Sequence, residues 1–158
     1  MEIQEGSALP QPSVKRIKQF QKFNHIRLPE DYLAFLKMGN GAVPIQNIIR
    51  TSDNDKVIEF FLCLLDEGAD DEDNGWRDIS VVLTELGGRL IDDGDMLGMN
   101  VIPFAALFAG DFLCFDFRED EDNPNIVVWD HEKSERLAPV MEKVADSFTE
   151  FLAKLTKD

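Results

Sequence analysis

Apolar and polar residues alternate in a way that predicts a β-hairpin at the centre of the fold. Asp111–Phe117 and Ile126–Asp130 both have the length and β-forming composition of strands. Arg118–Asn125 separates them with polar residues that end in Asn-Pro-Asn, which is typical of a turn. Apolar side chains fall on both faces of both strands, so we expect the hairpin to lie within a sheet that helices cover on at least one face.

Two helices are predicted before this hairpin. Ser13 can cap the first, because apolar residues follow it at near-helical spacing. Pro29 suits the first position of the second helix, and Gly39-Asn40-Gly41 can end it, since these residues tolerate a positive φ. Residues 1–12 contain Gly, Ser and two Pro and are expected to form a flexible tail, which leaves residues 13–158 as a single domain.

The remaining elements follow from the same spacing rules. Strands are predicted at Val43–Ile49, Val57–Leu65 and Val101–Phe104, and Trp76–Leu86 has the apolar spacing of a helix. The capping box Ser147–Glu150 predicts where the last helix begins. An earlier start near Pro139 also keeps a helical spacing, and it stays an alternative.

Net charge narrows the range of partners. The 158-residue chain has 31 acidic and 16 basic residues, a net charge of −15. Direct binding to nucleic acid or to an anionic membrane is therefore not expected, because phosphate contacts need Lys and Arg. The excess favours a basic partner, a bound cation or solubility alone.

Three acidic runs are the candidate binding residues. In Asp66–Asp73 six of eight residues are acidic, and Asp92–Asp95 and Glu119–Asp122 are shorter runs. All three should be loops, so they could converge into one acidic surface for a basic protein; the alternative is that they are only solvated. The candidate partner-binding residues are Asp70, Asp71, Glu72, Asp73, Asp92, Asp93, Asp95, Glu119, Asp120, Glu121 and Asp122.

No motif for catalysis, a metal or a cofactor is present. Nucleophile-elbow, phosphate-loop, dinucleotide and EF-hand spacings all fail. His131 lies between two acidic neighbours at a strand end, where a surface histidine is a simpler interpretation than a catalytic one. Cys63 and Cys114 lie in apolar runs and are expected to be buried thiols. With no signal peptide and no apolar run of about 18 residues, we expect a cytoplasmic protein.

Several short motifs, in order, resemble the SUKH superfamily. Leu28-Pro29-Glu30-Asp31-Tyr32 opens the series, and Val127-Val128-Trp129-Asp130-His131-Glu132 is its longest later match. The ordered set covers about Val14–Leu155, with the acidic run at Asp66–Gly75 and the spacer Lys133–Asp146 as departures. The signature residues, expected to be structural, are Leu28, Pro29, Tyr32, Phe35, Leu36, Asn40, Gly41, Asp116, Trp129, Asp130, Phe148, Phe151 and Leu152.

This resemblance implies an α+β fold, with a curved antiparallel or mixed sheet flanked by helices. Members of the superfamily are non-enzymatic binding modules that include the yeast cell-wall assembly regulator and bacterial immunity proteins. A chain that is essentially one such domain favours an immunity protein that neutralises a cognate toxin, expected to be a basic nuclease. A regulatory interaction module without a toxin and a carboxylate-based metal enzyme are the alternatives, and formation of a homo-oligomer stays open.

Overall fold

Within the described residues, four α-helices and one six-stranded antiparallel sheet make up the fold, which confirms the predicted α+β class. A computed structural model describes residues 1–66 and 73–158. The helices are α1 (Val14–Asn24), α2 (Glu30–Gly39), α3 (Ile79–Leu86) and α4 (Phe148–Lys154). The strands are β1 (Ile48–Arg50), β2 (Asp55–Phe61), β3 (Val101–Leu107), β4 (Phe112–Asp116), β5 (Asn125–Trp129) and β6 (Met141–Ala145).

The sheet is a meander in which every strand pairs with the next one along the chain. The sheet curves so strongly that its two ends approach each other. The backbone N–H of Ser52, in the β1–β2 turn, donates to the Glu142 carboxylate on β6 (3.1 Å). After α4 the chain returns to β1, where Thr156 and Ile48 exchange two backbone hydrogen bonds of 3.0 Å.

The predicted central hairpin is confirmed as β4 and β5. Phe112 lies opposite Trp129, and Asp116 lies opposite Asn125. Phe112 and Phe115 differ by an odd number of positions, so they point to opposite faces of the sheet. Residues on both faces of the hairpin are buried, which satisfies the prediction that at least one face would be covered.

Helices α2 and α4 cover one face of the sheet with an aromatic core. The Tyr32 ring centre lies 4.9 Å from that of Phe115 and 5.2 Å from that of Phe148. The turn after α3 covers the opposite face, where the indole N–H of Trp129 donates to the carbonyl of Arg89 (3.0 Å). The capping-box start of α4 is also confirmed, since the Ser147 hydroxyl accepts the Glu150 N–H (3.1 Å).

The strand predicted at Val43–Ile49 is largely wrong. Only its last two residues belong to β1, and Pro44 instead forms an isolated bridge with Ile3. The backbone N–H of Gln4 donates to the Val43 carbonyl (2.8 Å). The segment is extended, but its partner is the N-terminal tail rather than the sheet.

Several element boundaries also differ from the prediction. Strand β3 continues to Leu107, and β2 runs from Asp55 to Phe61. Beyond Leu62, whose N–H still donates to Phe104 of β3 (2.8 Å), the chain leaves the sheet, and the N–H of Leu64 donates to the Asn40 side chain (2.9 Å). Helix α3 begins at Ile79 rather than at Trp76, because Asp78 caps it by accepting the Ser80 N–H (2.8 Å). Cys63 and Cys114 are both buried thiols, as predicted.

Strand β6 was not predicted. It pairs with β5, and Trp129 lies opposite Met141. Among the residues that the structure describes, no helix has the length and apolar character needed to cross a membrane.

Candidate functional site

Arg118 joins two of the three acidic loops. Its guanidinium donates to both carboxylate oxygens of Asp116, at the end of β4 (2.9 and 3.0 Å), and to Asp92 in the preceding loop (3.1 Å). The hydrogen bond to Asp116, together with the Asp92 contact, raises the pKa of Arg118. The arginine thereby fixes the Asp92–Asp95 loop beside the Glu119–Asp122 loop, a convergence that the sequence left open.

These two loops form one surface, which we call the acidic face and which comprises Asp92, Asp93, Asp95, Glu119, Asp120, Glu121 and Asp122. All seven residues are exposed. Asp120 shapes its own turn by accepting the N–H groups of Asp122 (2.9 Å) and Asn123 (3.1 Å). These backbone hydrogen bonds lower the pKa of Asp120, so the carboxylate stays ionised.

A close backbone contact holds the acidic face against the end of α1. The N–H of Met99 donates to the carbonyl of Asn24 (3.1 Å), and Gly98 lies directly against that carbonyl. Gly98 has φ +77°, and a Cβ here would collide with the Asn24 oxygen, so only glycine suits the position.

A groove of about 860 Å³ runs between the end of α1 and the acidic face. Its lining includes the basic residues Lys22 and Arg27 as well as the acidic residues Glu121 and Asp122. The groove therefore does not favour a ligand of one charge. The other five residues of the acidic face lie outside its lining.

The third acidic run begins at the other end of α1. Asp66 accepts the backbone N–H of Ser13, which caps the start of that helix (2.9 Å). An 11-residue helix is about 16 Å long, so Asp66 is separated by that length from the acidic face. Asp73 is exposed, whereas the predicted binding residues Asp70, Asp71 and Glu72 lie outside the described residues.

A partly buried charge cluster around Asp111, the residue before β4, was missed by the sequence reasoning. Asp111 contacts the Nδ1 of His131 at 2.6 Å and accepts the Lys56 ammonium at 3.0 Å. Burial alone would raise the pKa of Asp111, but the hydrogen bonds from His131 and Lys56 outweigh it and lower the pKa. The three residues come from distant parts of the chain, so no local pattern could have placed them together.

The same cluster is the one group of side chains in the described residues whose spacing could hold a metal ion, with Asp130 as the third member. The Lys56 ammonium already neutralises the Asp111 carboxylate, and the hydrogen bond to Asp111 raises the pKa of Lys56. A divalent cation would have to displace that charge, so the cluster fits an ion pair better than a metal site.

A comparison with models of protein families shows which family the chain belongs to. The model of the SUKH_6 family, described as SMI1-KNR4 cell-wall, matches residues 15–152. The chain belongs to the SUKH family. Neither the curated proteins nor the solved structures compared with it include a match.

In this SUKH domain most of the signature residues are structural. Tyr32, Trp129 and Phe148 are fully buried in the core. The buried Asn40 side chain donates to the carbonyls of Pro10 (2.8 Å) and Leu64 (3.0 Å), which ties three segments together. The SUKH signature residues therefore account for the scaffold, and the residues of the acidic face are not among them.

Proposed function

We propose that this SUKH-family chain is a cytoplasmic, non-enzymatic immunity protein that binds a cognate basic toxin, a nuclease, through its acidic face. The observation that carries the proposal is the Arg118 contact, which gathers seven exposed acidic residues from two loops onto one surface. The family membership supports a binding role of this kind.

The physical basis is charge mimicry. A nuclease must present Lys and Arg to the phosphates of its substrate. Carboxylates held at fixed positions can occupy that surface instead, and a net charge of −15 attracts it from a distance. Neutralisation then needs only stoichiometric occupation of the cleft.

The state of the buried reactive groups supports a non-enzymatic role. Burial raises the pKa of the Cys114 thiol well above its ordinary value, so it is not a nucleophile at neutral pH. The hydrogen bonds from His131 and Lys56 keep Asp111 ionised, so it cannot act as a general acid at neutral pH.

The test is co-expression with the gene encoded beside this one, followed by co-purification and titration of the neighbouring protein's toxic activity. We expect a complex that survives purification and inhibition that is complete at one equivalent. A neighbouring protein that neither binds nor loses activity would overturn the proposal, and so would turnover of a substrate by this chain alone.

A regulatory interaction module is the second candidate, because the matching family is described by SMI1-KNR4 cell-wall proteins. The acidic face would then dock on an enzyme or scaffold. Co-purification with a partner that has no toxic activity would favour this alternative.

A further inference from the structure

A small apolar pocket lies on the α3 side of the sheet, away from the acidic face. Phe60, Trp76, Val82 and Phe112 contribute apolar surface to it, and Glu59 and Glu85 contribute carboxylates. Its volume is about 230 Å³. Pockets for small-molecule ligands are usually ~300–1,000 Å³, so this one suits a single side chain better. We call it the Trp76 pocket.

Trp76 is presented at this pocket in a fixed orientation. It is 58% exposed, although it is one of the largest apolar residues in the chain. Its indole N–H donates to the carbonyl of Asp73 (2.9 Å), and its ring packs edge-on against Phe60, with ring centres 5.4 Å apart. A tryptophan whose N–H is satisfied and whose ring is largely exposed can anchor a protein interface, and here the Arg77 guanidinium lies 6.0 Å from the ring centre.

The rim of the pocket carries carboxylates without an ion pair among the described residues, and the Arg77 guanidinium lies over the neighbouring Phe60 ring, 5.1 Å from its centre. Glu59 and Glu85 are both exposed, and neither forms an ion pair within residues 1–66 and 73–158. Asp73 is exposed beside Trp76. The remaining carboxylate, Asp111, is already paired with Lys56. The pocket therefore combines an apolar floor with an acidic rim.

This combination defines the occupant. A second copy of the chain carries the same charge of −15 and would be repelled, as would a nucleic acid or an anionic membrane. A basic protein segment is attracted by the rim, and an apolar side chain within that segment can fill the floor.

We propose that the Trp76 pocket receives an apolar side chain from a basic segment of the partner protein, with Trp76 as its anchor. The inference rests on the proposed function only in requiring a basic protein partner. The charges of the acidic face speed association, and this pocket adds an apolar contact that slows dissociation.

Two synthetic peptides of equal charge test the pocket directly: acetyl-KKLKK-amide and acetyl-KKGKK-amide, each with a fluorescent label. Binding is followed by anisotropy at low ionic strength. We expect wild type to bind the leucine peptide about tenfold more tightly, because burying part of one leucine side chain is worth about one decade of affinity.

Variants locate this preference. Trp76→Ala should abolish it, whereas the control Phe23→Ala should leave it intact, because Phe23 is 79% exposed but lies outside the pocket lining. Glu59→Gln with Glu85→Gln should weaken both peptides alike. Equal binding of the two peptides to wild type would overturn the inference whatever the folding of the variants, and so would a preference that survives Trp76→Ala.

The outcome is separable from that of the proposed function. A leucine preference without binding of the neighbouring gene product would leave the pocket standing and remove the toxin. Binding of the neighbouring protein with equal peptide affinities would leave the toxin and remove the pocket.

Discussion

Asp78 is expected to be one of the largest single contributors to stability, because its carboxylate joins three segments. It accepts the backbone N–H of Leu65 (2.8 Å), the N–H of Ser80 at the start of α3 (2.8 Å) and the Arg16 guanidinium of α1 (3.0 Å). Leu65 precedes the acidic run and Asp78 follows it, so these contacts hold the two flanking segments together. Asp78→Ala removes all three contacts.

The expected cost follows from what each partner loses. Losing a helix N-cap costs about 1 kcal/mol. Removing one partner of a buried ion pair costs about 3–5 kcal/mol, and Arg16 is only 14% exposed. Arg16 keeps its hydrogen bonds to the Leu65 carbonyl (2.7 Å) and the Ser80 hydroxyl (3.0 Å), which reduces that penalty. We expect a total of about 4 kcal/mol, or a fall in Tm of about 8–16 °C.

Thermal and urea unfolding, followed by circular dichroism, measure this cost. The matched control is Asp55→Ala, because Asp55 pairs with Arg50 at 3.3 Å with both side chains largely exposed. That substitution should leave Tm nearly unchanged. Arg16→Leu added to Asp78→Ala should recover part of the loss, since no charge is then left buried. If Asp78→Ala costs no more than Asp55→Ala, the reasoning is refuted.

Two further predictions concern the core and the buried charge cluster. Phe115→Ala should cost ~3–5 kcal/mol of unfolding free energy, because the side chain is fully buried and its ring centre lies 4.6 Å from that of Phe104. Affinity for the partner, measured well below the Tm of the variant, should be unchanged. Loss of affinity in a variant that is still folded would contradict this. The lowered pKa of Asp111 means that its stabilisation is complete above the ordinary Asp pKa and is lost as pH falls through the folded-state value. The difference in unfolding free energy between wild type and Asp111→Asn, measured by urea titration, should therefore shrink as the pH is lowered from 5. A difference that does not change with pH would contradict this link between protonation and stability.

Local patterns were enough to predict the helices and the central hairpin. The capping residues Ser13 and Ser147 both accept the hydrogen bonds that their positions predict. The β4–β5 hairpin was predictable because apolar strands and a polar turn alternate clearly in its sequence. Both signals depend only on neighbours in the chain.

Strand β6 could not be predicted in the same way. Met141–Ala145 consists largely of residues that favour helix, including a glutamate and a lysine. As the last strand of the meander it has charged residues, which protect a sheet edge but weaken the β signal. Its pairing with β5 overrides the local preference.

The candidate site was only partly predictable. Charge alone identified the acidic loops, but the Arg118 contact that joins two of them depends on the tertiary fold. Apolar spacing placed Trp76 within a helix, whereas the structure places it in a short turn before Asp78 and leaves it exposed. Apolar periodicity cannot tell an exposed tryptophan from a buried one, because it records only the spacing of apolar residues along the chain and not which residues they contact in the fold.

The most direct test of the acidic face is the rate at which the chain associates with the protein encoded by the neighbouring gene, measured across a range of ionic strengths. A face variant removes four charges without changing Arg118 or Asp120; it combines Asp95→Asn, Glu119→Gln, Glu121→Gln and Asp122→Asn. A control variant removes four exposed charges outside the face; it combines Glu2→Gln, Glu5→Gln, Glu132→Gln and Glu135→Gln. The face variant should associate about tenfold or more slowly than this control and show a flatter salt dependence. Equal rates and equal salt dependence for the two variants would contradict the account.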